Sequence, residues 1–184
     1  MVSQFVSSHD VRLLGDLDFK FPDGTHAIGR LDKDSEGLLL LTTDKRVTRL
    51  VFLAKEPHLR TYLVLVQNLV TPARLHELQA GIPITIKSGE TYIAKPFSLT
   101  AVEEPTALYP FATDHREAYP HTWLSITLTE GKYRQVRKMV LAAHHRCLRL
   151  IRLSISGISI DDLHPGEVRE LSAETFYGLL GLPQ

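Results

Sequence analysis

The sequence predicts an α+β fold with a mixed, mostly antiparallel sheet in two halves, flanked by helices. Many short strand-like segments occur along the 184 residues, and helical segments are spaced unevenly among them. Neither a repeat nor a low-complexity segment is present. Strands with unevenly placed helices are typical of α+β proteins, whereas regular alternation would indicate a parallel α/β sheet. The length suits one domain, so we expect a single domain over residues 1–184, built of two sub-halves.

The first third of the chain predicts short strands and one capped helix. Strand-like segments occupy residues 1–6, 25–31 and 37–43, and residues 10–17 have the pattern of a short helix. Thr43 or Asp44 can cap a helix to about Leu53, because these side chains accept hydrogen bonds from the first helical amides. Pro57 ends this helix, since proline cannot continue the hydrogen-bonding pattern.

The middle of the chain predicts a strand, a helix and three further strands. Residues 59–67 form an apolar, β-branched run, which favours a strand. Thr71 caps a helix over residues 72–80, with proline at the first helical position and Gly81 just beyond the end. Short strands follow at residues 82–86, 91–94 and 97–102.

The last third contains a long loop followed by a strand and a basic helix. Residues 103–121 include three prolines and read as a loop, and such loops are often functional. A strand is predicted at 122–129 and a helix at 132–145. Further strands are predicted at 146–155, 157–160 and 168–171. Ser172 begins a final helix, which Gly181 ends.

Charge is segregated although the formal net charge is zero. Residues 132–152 carry seven Lys and Arg and no Asp or Glu. Such a cluster makes a basic patch that can attract phosphate, although a solvated charged helix would have the same composition. No apolar run reaches the roughly 20 residues that span a bilayer, so no membrane segment is predicted. The single cysteine, Cys147, is expected to be a buried, inert thiol in a reducing compartment.

The candidate functional residues are one carboxylate and the basic residues of one predicted helix. Asp32 follows a strand in a tight turn, where an aspartate is rigidly held but is also common for purely local reasons. In the helix over 132–145, apolar residues recur with the spacing of a buried face. Basic residues occupy another face. Lys132 and Arg134 lie at the positive end of this predicted helix, where basic residues are locally unfavourable and therefore suggest a functional site.

Four motifs resemble those of one enzyme family. Residues 29–44 read Gly-Arg-Leu-Asp, then Ser, Gly-Leu-Leu and Thr-x-Asp, and residues 131–139 read Gly-x-x-Arg-Gln-Val-Arg-x-Met. Residues 60–64 read Arg-Thr-Tyr-Leu-Val, which is similar to a Lys-x-Tyr-x-Val motif, and residues 166–171 read Gly-Glu-x-Arg-x-Leu. In order and spacing these resemble the RsuA-type ribosomal RNA pseudouridine synthases, above all the E-type synthases of large-subunit ribosomal RNA. The E type lacks an S4 RNA-binding module, and we expect none here.

The resemblance implies isomerisation of a uridine in ribosomal RNA, with the large subunit favoured, on a base flipped out of the RNA. Asp32 is implied as the nucleophile, attacking C6 of the base or C1′ of the sugar. Arg137 is implied as its ion-pair partner, and Tyr62 as the ring that stacks on uracil and assists removal of the C5 proton. RNA-binding roles are implied for Arg30, which would fill the vacated space, and for Lys132, Arg134, Gln135 and Lys138. The resemblance implies no cofactor and no metal.

Other functions fit the residues less well. A metal hydrolase could use the nine histidines, but His144 and His145 are adjacent and no His-Glu-x-x-His spacing occurs. A glycosidase would need two cooperating carboxylates and would leave the basic helix without a role. A non-catalytic RNA-binding or ribosome-assembly module is the main alternative, but it would not need Asp32, Tyr62 and Arg137 together. We expect a cytoplasmic monomer that acts on ribosomal RNA.

Overall fold

A computed structural model of the chain describes residues 1–54, 56–113 and 119–183. In chain order the elements are a 3₁₀ turn at Leu14–Asp16, β1 (His26–Ala27), β2 (Glu36–Gly37), β3 (Leu41–Thr42), α1 (Lys45–Leu53), β4 (Arg60–Gln67), α2 (Pro72–Ala80), β5 (Ile82–Thr85), β6 (Thr91–Ala94), β7 (Ser98–Val102), α3 (Pro105–Leu108), β8 (His121–Leu128), α4 (Gln135–Ala142), β9 (Cys147–Ile155), β10 (Ile158–Ser159) and α5 (Ala173–Leu180). The predicted α+β class is confirmed.

The central sheet has β4 in its middle. Its strand order is β10-β9-β4-β8-β7, and these neighbours are antiparallel, whereas β2 pairs with β9 in parallel. The sheet is therefore mixed and mostly antiparallel, as predicted. Tyr62 on β4 lies opposite Ile126 of β8 and Arg152 of β9. On the far side of β9, Gly37 of β2 is also paired with Arg152. Arg152 thus lies between the strand of Tyr62 and the segment that follows Asp32.

The sheet is buried on both faces. Successive side chains of a strand point to opposite sides, and those of β4 enter two different apolar clusters. Leu63 and Leu65 of β4 pack with Trp123 and Ile151 in one apolar cluster, to which α1 and α5 contribute. Val64 and Val66 enter a second cluster on the other face. That cluster also contains apolar residues of α2 and α4. The unbroken apolar run of β4 is explained by this two-sided burial.

The capped helices were predicted correctly. Asp44 accepts a hydrogen bond from the amide of Arg46 at the start of α1. Thr71 caps α2, which ends at Gly81, and Ser172 caps α5 in the same way. These boundaries could be predicted because a cap is a local interaction between a side chain and a backbone amide two or three residues later.

Several sequence predictions of secondary structure were wrong. Residues 1–6 form no strand; instead they hold residues 12–14 by isolated bonds, from the Val2 amide to the Arg12 carbonyl (2.9 Å) and from the Leu14 amide to the Gln4 carbonyl (3.0 Å). Residues 168–171 also form no strand. The helix predicted over 132–145 is only α4, so Lys132 and Arg134 precede it. The short helix predicted at 10–17 is reduced to the 3₁₀ turn.

Other expectations are met in part. The predicted loop over 103–121 contains α3, and its residues 114–118 lie outside the described residues. Cys147 is half-buried, and burial raises the pKa of its thiol. In the described ranges, no helix has the length and apolar character that a membrane span requires. The single domain over residues 1–184 stays a prediction.

Candidate active site

A cavity of about 460 Å³ opens at the end of the central sheet. Its wall combines the Asp32 turn, the start of β4, the part of β9 that faces it, and the loop before α4. Six of the eight predicted site residues line it: Arg30, Asp32, Tyr62, Lys132, Arg134 and Gln135. The other two, Arg137 and Lys138, do not line it. Segments 100 residues apart in sequence therefore meet at one site.

The Asp32 turn is held by backbone contacts on both sides. The Ser35 amide donates to the Asp32 carbonyl at 2.9 Å and closes a tight turn. On the other side, the Ser3 hydroxyl accepts from the Leu31 amide (2.9 Å) and donates to the Leu31 carbonyl (3.1 Å). The Asp32 side chain remains 29% exposed. Its carboxylate is thus rigidly placed yet accessible, as a nucleophile requires.

Two arginines from the α4 region hold this turn. Arg134 donates to both carboxylate oxygens of Asp34, at 2.9 and 2.8 Å, in a bidentate ion pair. Arg137 lies 3.5 Å from the Asp34 carboxylate and donates to the Asp34 carbonyl and, at 3.3 Å, to the Ser35 hydroxyl. Hydrogen bonding from Arg134 is the main cause that lowers the pKa of Asp34. The same pair raises the pKa of Arg134.

The ion pair expected between Asp32 and Arg137 is replaced by a different pairing. Arg134 is the cation near Asp32, at 3.9 Å, whereas Arg137 binds the neighbouring Asp34 and Ser35. The physical reason is the late start of α4. Arg134 adopts a left-handed backbone conformation (φ 52°, ψ 34°) immediately before the helix, which turns its side chain toward the Asp32 turn.

Tyr62 lines the cavity together with a buried arginine, Arg152. Arg152 is 5% exposed and is paired with Tyr62 across β4 and β9. Its Nε donates to the Leu38 carbonyl at 2.8 Å, while its Nη2 is buried and has no hydrogen-bond partner among the described residues. Burial lowers the pKa of Arg152, and the Tyr62 hydroxyl acts in the opposite direction.

The loop before α4 is supported from below by a chain of hydrogen bonds. The Gln135 amide group accepts from the Lys132 backbone (2.8 Å) and donates to Glu130 (2.9 Å). Glu130 also accepts from the Tyr92 hydroxyl at 2.7 Å, which raises the pKa of Tyr92. Gln135 is only 3% exposed. Its side chain therefore shapes the loop from inside, and the RNA contact expected for it stays a prediction.

Lys132 and Lys138 occupy different positions around this loop. Lys132 lies over the Tyr92 ring, 5.1 Å from its centroid, and lines the cavity. Lys138 donates to the Thr85 carbonyl at 2.6 Å and lies over the ring of Tyr133. The Lys138 ammonium is thus already engaged on the β5 side of α4, although an ammonium retains further donors.

The charge of the cavity wall is mixed. Its basic residues are Arg30, Arg60, Lys132, Arg134 and Arg152, and its acidic residues are Asp32, Glu36, Glu56 and Glu130. Glu36 is bound by Arg149 at 2.8 Å, and Glu130 is occupied by Tyr92 and Gln135. A central basic cleft stays a prediction. In residues 1–54, 56–113 and 119–183, no group of three or more His, Cys, Asp or Glu has an arrangement that could hold a metal ion.

Sequence reasoning missed three supporting residues. Arg152 could have been found, because a charged residue in the apolar run of a buried strand is unusual and indicates a special partner. Ser3 and Tyr92 gave no such signal, because each reaches the site across a long stretch of sequence.

Comparison with known proteins identifies the family to which this chain is similar. The family model described as RNA pseudouridylate synthase matches residues 14–142. Ribosomal large subunit pseudouridine synthase E of Vibrio vulnificus (strain CMCP6) is 36% identical over 172 residues, which are 93% of this chain and 70% of that protein. The protein of the same name from Xanthomonas campestris pv. campestris is 34% identical over 154 residues, or 83% and 80% of the two chains.

A solved structure titled "Crystal structure of pseudouridylate synthase" shares the fold, with a TM-score of 0.66 and 27% identity. The match covers 88% of this chain and 63% of that one, so this chain spans less than two thirds of the solved protein. The matched region of the family model includes Asp32, Tyr62 and Arg137. The resemblance inferred from the motifs is therefore confirmed, and the chain belongs to the RNA pseudouridylate synthase family.

Proposed function

We propose that this protein isomerises one uridine of ribosomal RNA, in the large subunit, to pseudouridine. The observation that carries the proposal is the meeting of Asp32 and Tyr62 in one cavity, in a chain of this family. The names of the relatives from Vibrio and Xanthomonas specify the large ribosomal subunit, which supports that choice of RNA. Because the names of these relatives refer to the ribosome, we also propose that the protein works in the cytoplasm. We propose further that it acts as a monomer.

The proposed reaction needs no net water and no oxidant. The N1–C1′ bond of the uridine breaks, the uracil rotates, and a C5–C1′ bond forms, while the C5 proton is lost and N1 gains one. Asp32 serves as the nucleophile, since a carboxylate is both a nucleophile and a usable leaving group. Tyr62 lines the same cavity and supplies a ring that can stack on the uracil and a hydroxyl that can assist removal of the C5 proton.

Arg134 and Arg137 hold the backbone of the Asp32 turn and also place positive charge beside it. Arg137 clamps the Asp34 carbonyl and the Ser35 hydroxyl, so that the backbone carrying Asp32 cannot shift easily. Arg134 places positive charge 3.9 Å from the Asp32 carboxylate. We propose that together they aim Asp32 at the base, because a fixed nucleophile avoids the entropic cost of orientation during the reaction.

The RNA reaches Asp32 with the target base flipped out. The cavity volume lies in the usual range for small-ligand sites, about 300–1,000 Å³, which suits one extruded base. Unpairing costs a few kcal/mol, and Arg30 is an exposed cation of the cavity wall that can occupy the vacated position. Lys132 and Arg134 are proposed to bind phosphates beside it, which gives affinity but little sequence choice.

The proposal is tested by mapping pseudouridine in large-subunit ribosomal RNA that lacks modifications. The RNA is treated with carbodiimide and copied by reverse transcription after incubation with wild type, Asp32→Asn or Asp23→Asn. Asp23 is an exposed turn residue outside the cavity wall, so its variant controls for the loss of one carboxylate. We expect one new stop with wild type and Asp23→Asn, and none with Asp32→Asn although it still binds the RNA. Binding without a stop for any protein would instead support a non-catalytic RNA-binding or ribosome-assembly role.

A further inference from the structure

Arg152 is a buried cation without a carboxylate partner. It is 5% exposed, and one of its donors, Nε, binds the Leu38 carbonyl. Its Nη2 is buried without a hydrogen-bond partner, and no ion pair within the described ranges includes it. Burying a charge without an ionic partner costs free energy, so the presence of Arg152 here needs an explanation other than stability. Its retention in an apolar strand therefore points to a role in the cavity that it lines.

The strand register places Arg152 beside Tyr62. The two residues are direct partners on antiparallel β9 and β4, and side chains of directly paired residues lie on the same face of a sheet. The Tyr62 hydroxyl counteracts the lowering of the pKa of Arg152 by burial, whereas the Arg60 cation adds to that lowering. A planar guanidinium has five donors in a fixed fork, so it can hold two acceptors at a set angle.

Arg152 also holds the segment that follows Asp32. The Leu38 amide donates to the Arg152 carbonyl at 2.8 Å, and the Arg152 side chain donates back to the Leu38 carbonyl. Gly37 is the parallel partner of Arg152, and a side chain at Gly37 would collide with the Arg152 backbone. Arg152 is therefore connected both to the strand of Tyr62, as its partner on β9, and to the segment that follows Asp32, by these contacts with Gly37 and Leu38.

We infer that Arg152 is a positioning residue for the isomerisation, which holds the Tyr62 hydroxyl in place relative to the Asp32 turn. This inference rests on the proposed function, because it assigns Arg152 to the same cavity. Arg152 acts through Tyr62 and Leu38 and needs no contact with the RNA. Its loss should therefore lower the rate of isomerisation much more than it lowers the affinity for RNA.

The test compares Arg152→Met, Arg152→Lys, Tyr62→Phe and the double variant Arg152→Met/Tyr62→Phe. Methionine replaces the buried charge by an apolar chain of similar length, a change that often leaves stability intact. Single-turnover rates of pseudouridine formation, RNA affinity and Tm are measured for each. We expect Arg152→Met to slow the reaction at least about 10-fold with RNA affinity within about 2-fold, and Arg152→Lys to recover part of the rate.

The double variant decides whether Arg152 acts through Tyr62. If it does, Arg152→Met causes no further loss once the Tyr62 hydroxyl is gone, because the two changes remove one interaction. Rate losses that multiply, or a wild-type rate in Arg152→Met, would overturn the inference. So would a lowered Tm with an unchanged rate, which indicates a structural role alone. If the wild type itself forms no pseudouridine, it is the proposed function that fails.

Discussion

Arg134 and Asp34, one hundred residues apart, form a bidentate ion pair at 2.9 and 2.8 Å. Arg134 makes this pair from a left-handed backbone conformation. Such a conformation costs an L-residue roughly 1–2 kcal/mol, and the ion pair offsets part of it. Strain at a site of this kind is maintained because the surrounding contacts determine the geometry. The pair therefore connects the start of α4 to the turn of Asp32.

We predict that Asp34→Asn destabilises the protein slightly and in a pH-dependent way. The pair is about half exposed at Asp34, so the loss at pH 7 should be about 0.5–1 kcal/mol. The pKa of Asp34 is lowered below 3.8 in the folded state, chiefly by Arg134. Its stabilisation is thus complete above that pH and is lost as the pH falls through the lowered folded value. Urea unfolding of both proteins should show the difference at pH 7 and its progressive loss as the pH is lowered below 3.8. A difference that stays constant over this acid range would contradict the prediction.

We predict that Gly37→Ala destabilises the protein far more than Gly24→Ala. Both glycines have positive φ, 99° and 81°, so both alanines bear the conformational cost of about 1–2 kcal/mol. A Cβ at Gly37 would also lie 2.6 Å from the Arg152 backbone nitrogen, whereas nothing lies within 4 Å at Gly24. Separating β2 from β9 should add about 1–3 kcal/mol. Urea unfolding measures both variants, and equal losses would show that the contact with Arg152 is unimportant.

The sequence predicted features that depend on local interactions and failed where distant segments decide. The caps of α1, α2 and α5 were predictable, because each joins residues at most three positions apart. The start of α4 was misplaced, because its basic and apolar pattern continues into Lys132 and Arg134. Two contacts hold these residues outside the helix. The Gln135 side chain donates to Glu130, and the Arg134 side chain is bound to the Asp34 carboxylate. These contacts are invisible to helical periodicity.

The candidate site divides in the same way. The motifs assigned Asp32 and Tyr62 to one site, and both residues line the same cavity. The motifs did not predict which arginine approaches which carboxylate. Arg134 and Arg137 are three residues apart, and only the left-handed backbone of Arg134 decides which of them approaches Asp32. Side-chain pairing at this level depends on backbone angles that no motif specifies.

We predict that Tyr92→Phe weakens activity without unfolding the protein. Its hydroxyl donates to Glu130 at 2.7 Å, and Glu130 in turn holds Gln135 beneath the loop that presents Lys132. Losing one hydrogen bond to a charged group corresponds to about 1.5–3 kcal/mol at most, and only part of this reaches the loop, so we expect about a 3- to 10-fold loss of kcat/KM. Tyr109→Phe is the matched control, since its hydroxyl binds the Leu163 carbonyl at 3.1 Å away from the cavity wall. Equal losses in the two variants would count against the loop effect.

We predict that Arg30→Ala reduces the salt dependence of RNA binding, whereas Arg169→Ala does not. Arg30 is an exposed side chain on the cavity wall, while Arg169 lies elsewhere and is paired with Asp162 at 2.8 Å. Each variant removes one positive charge, so a change due only to net charge would affect both equally. A cation that neutralises a phosphate releases a counterion, and its loss lowers the slope of log K against log salt by about 1. Filter binding between about 50 and 200 mM KCl measures this slope. If Arg30→Ala weakens binding by the same factor at every salt concentration, Arg30 acts on the RNA other than through a phosphate, and the prediction is wrong.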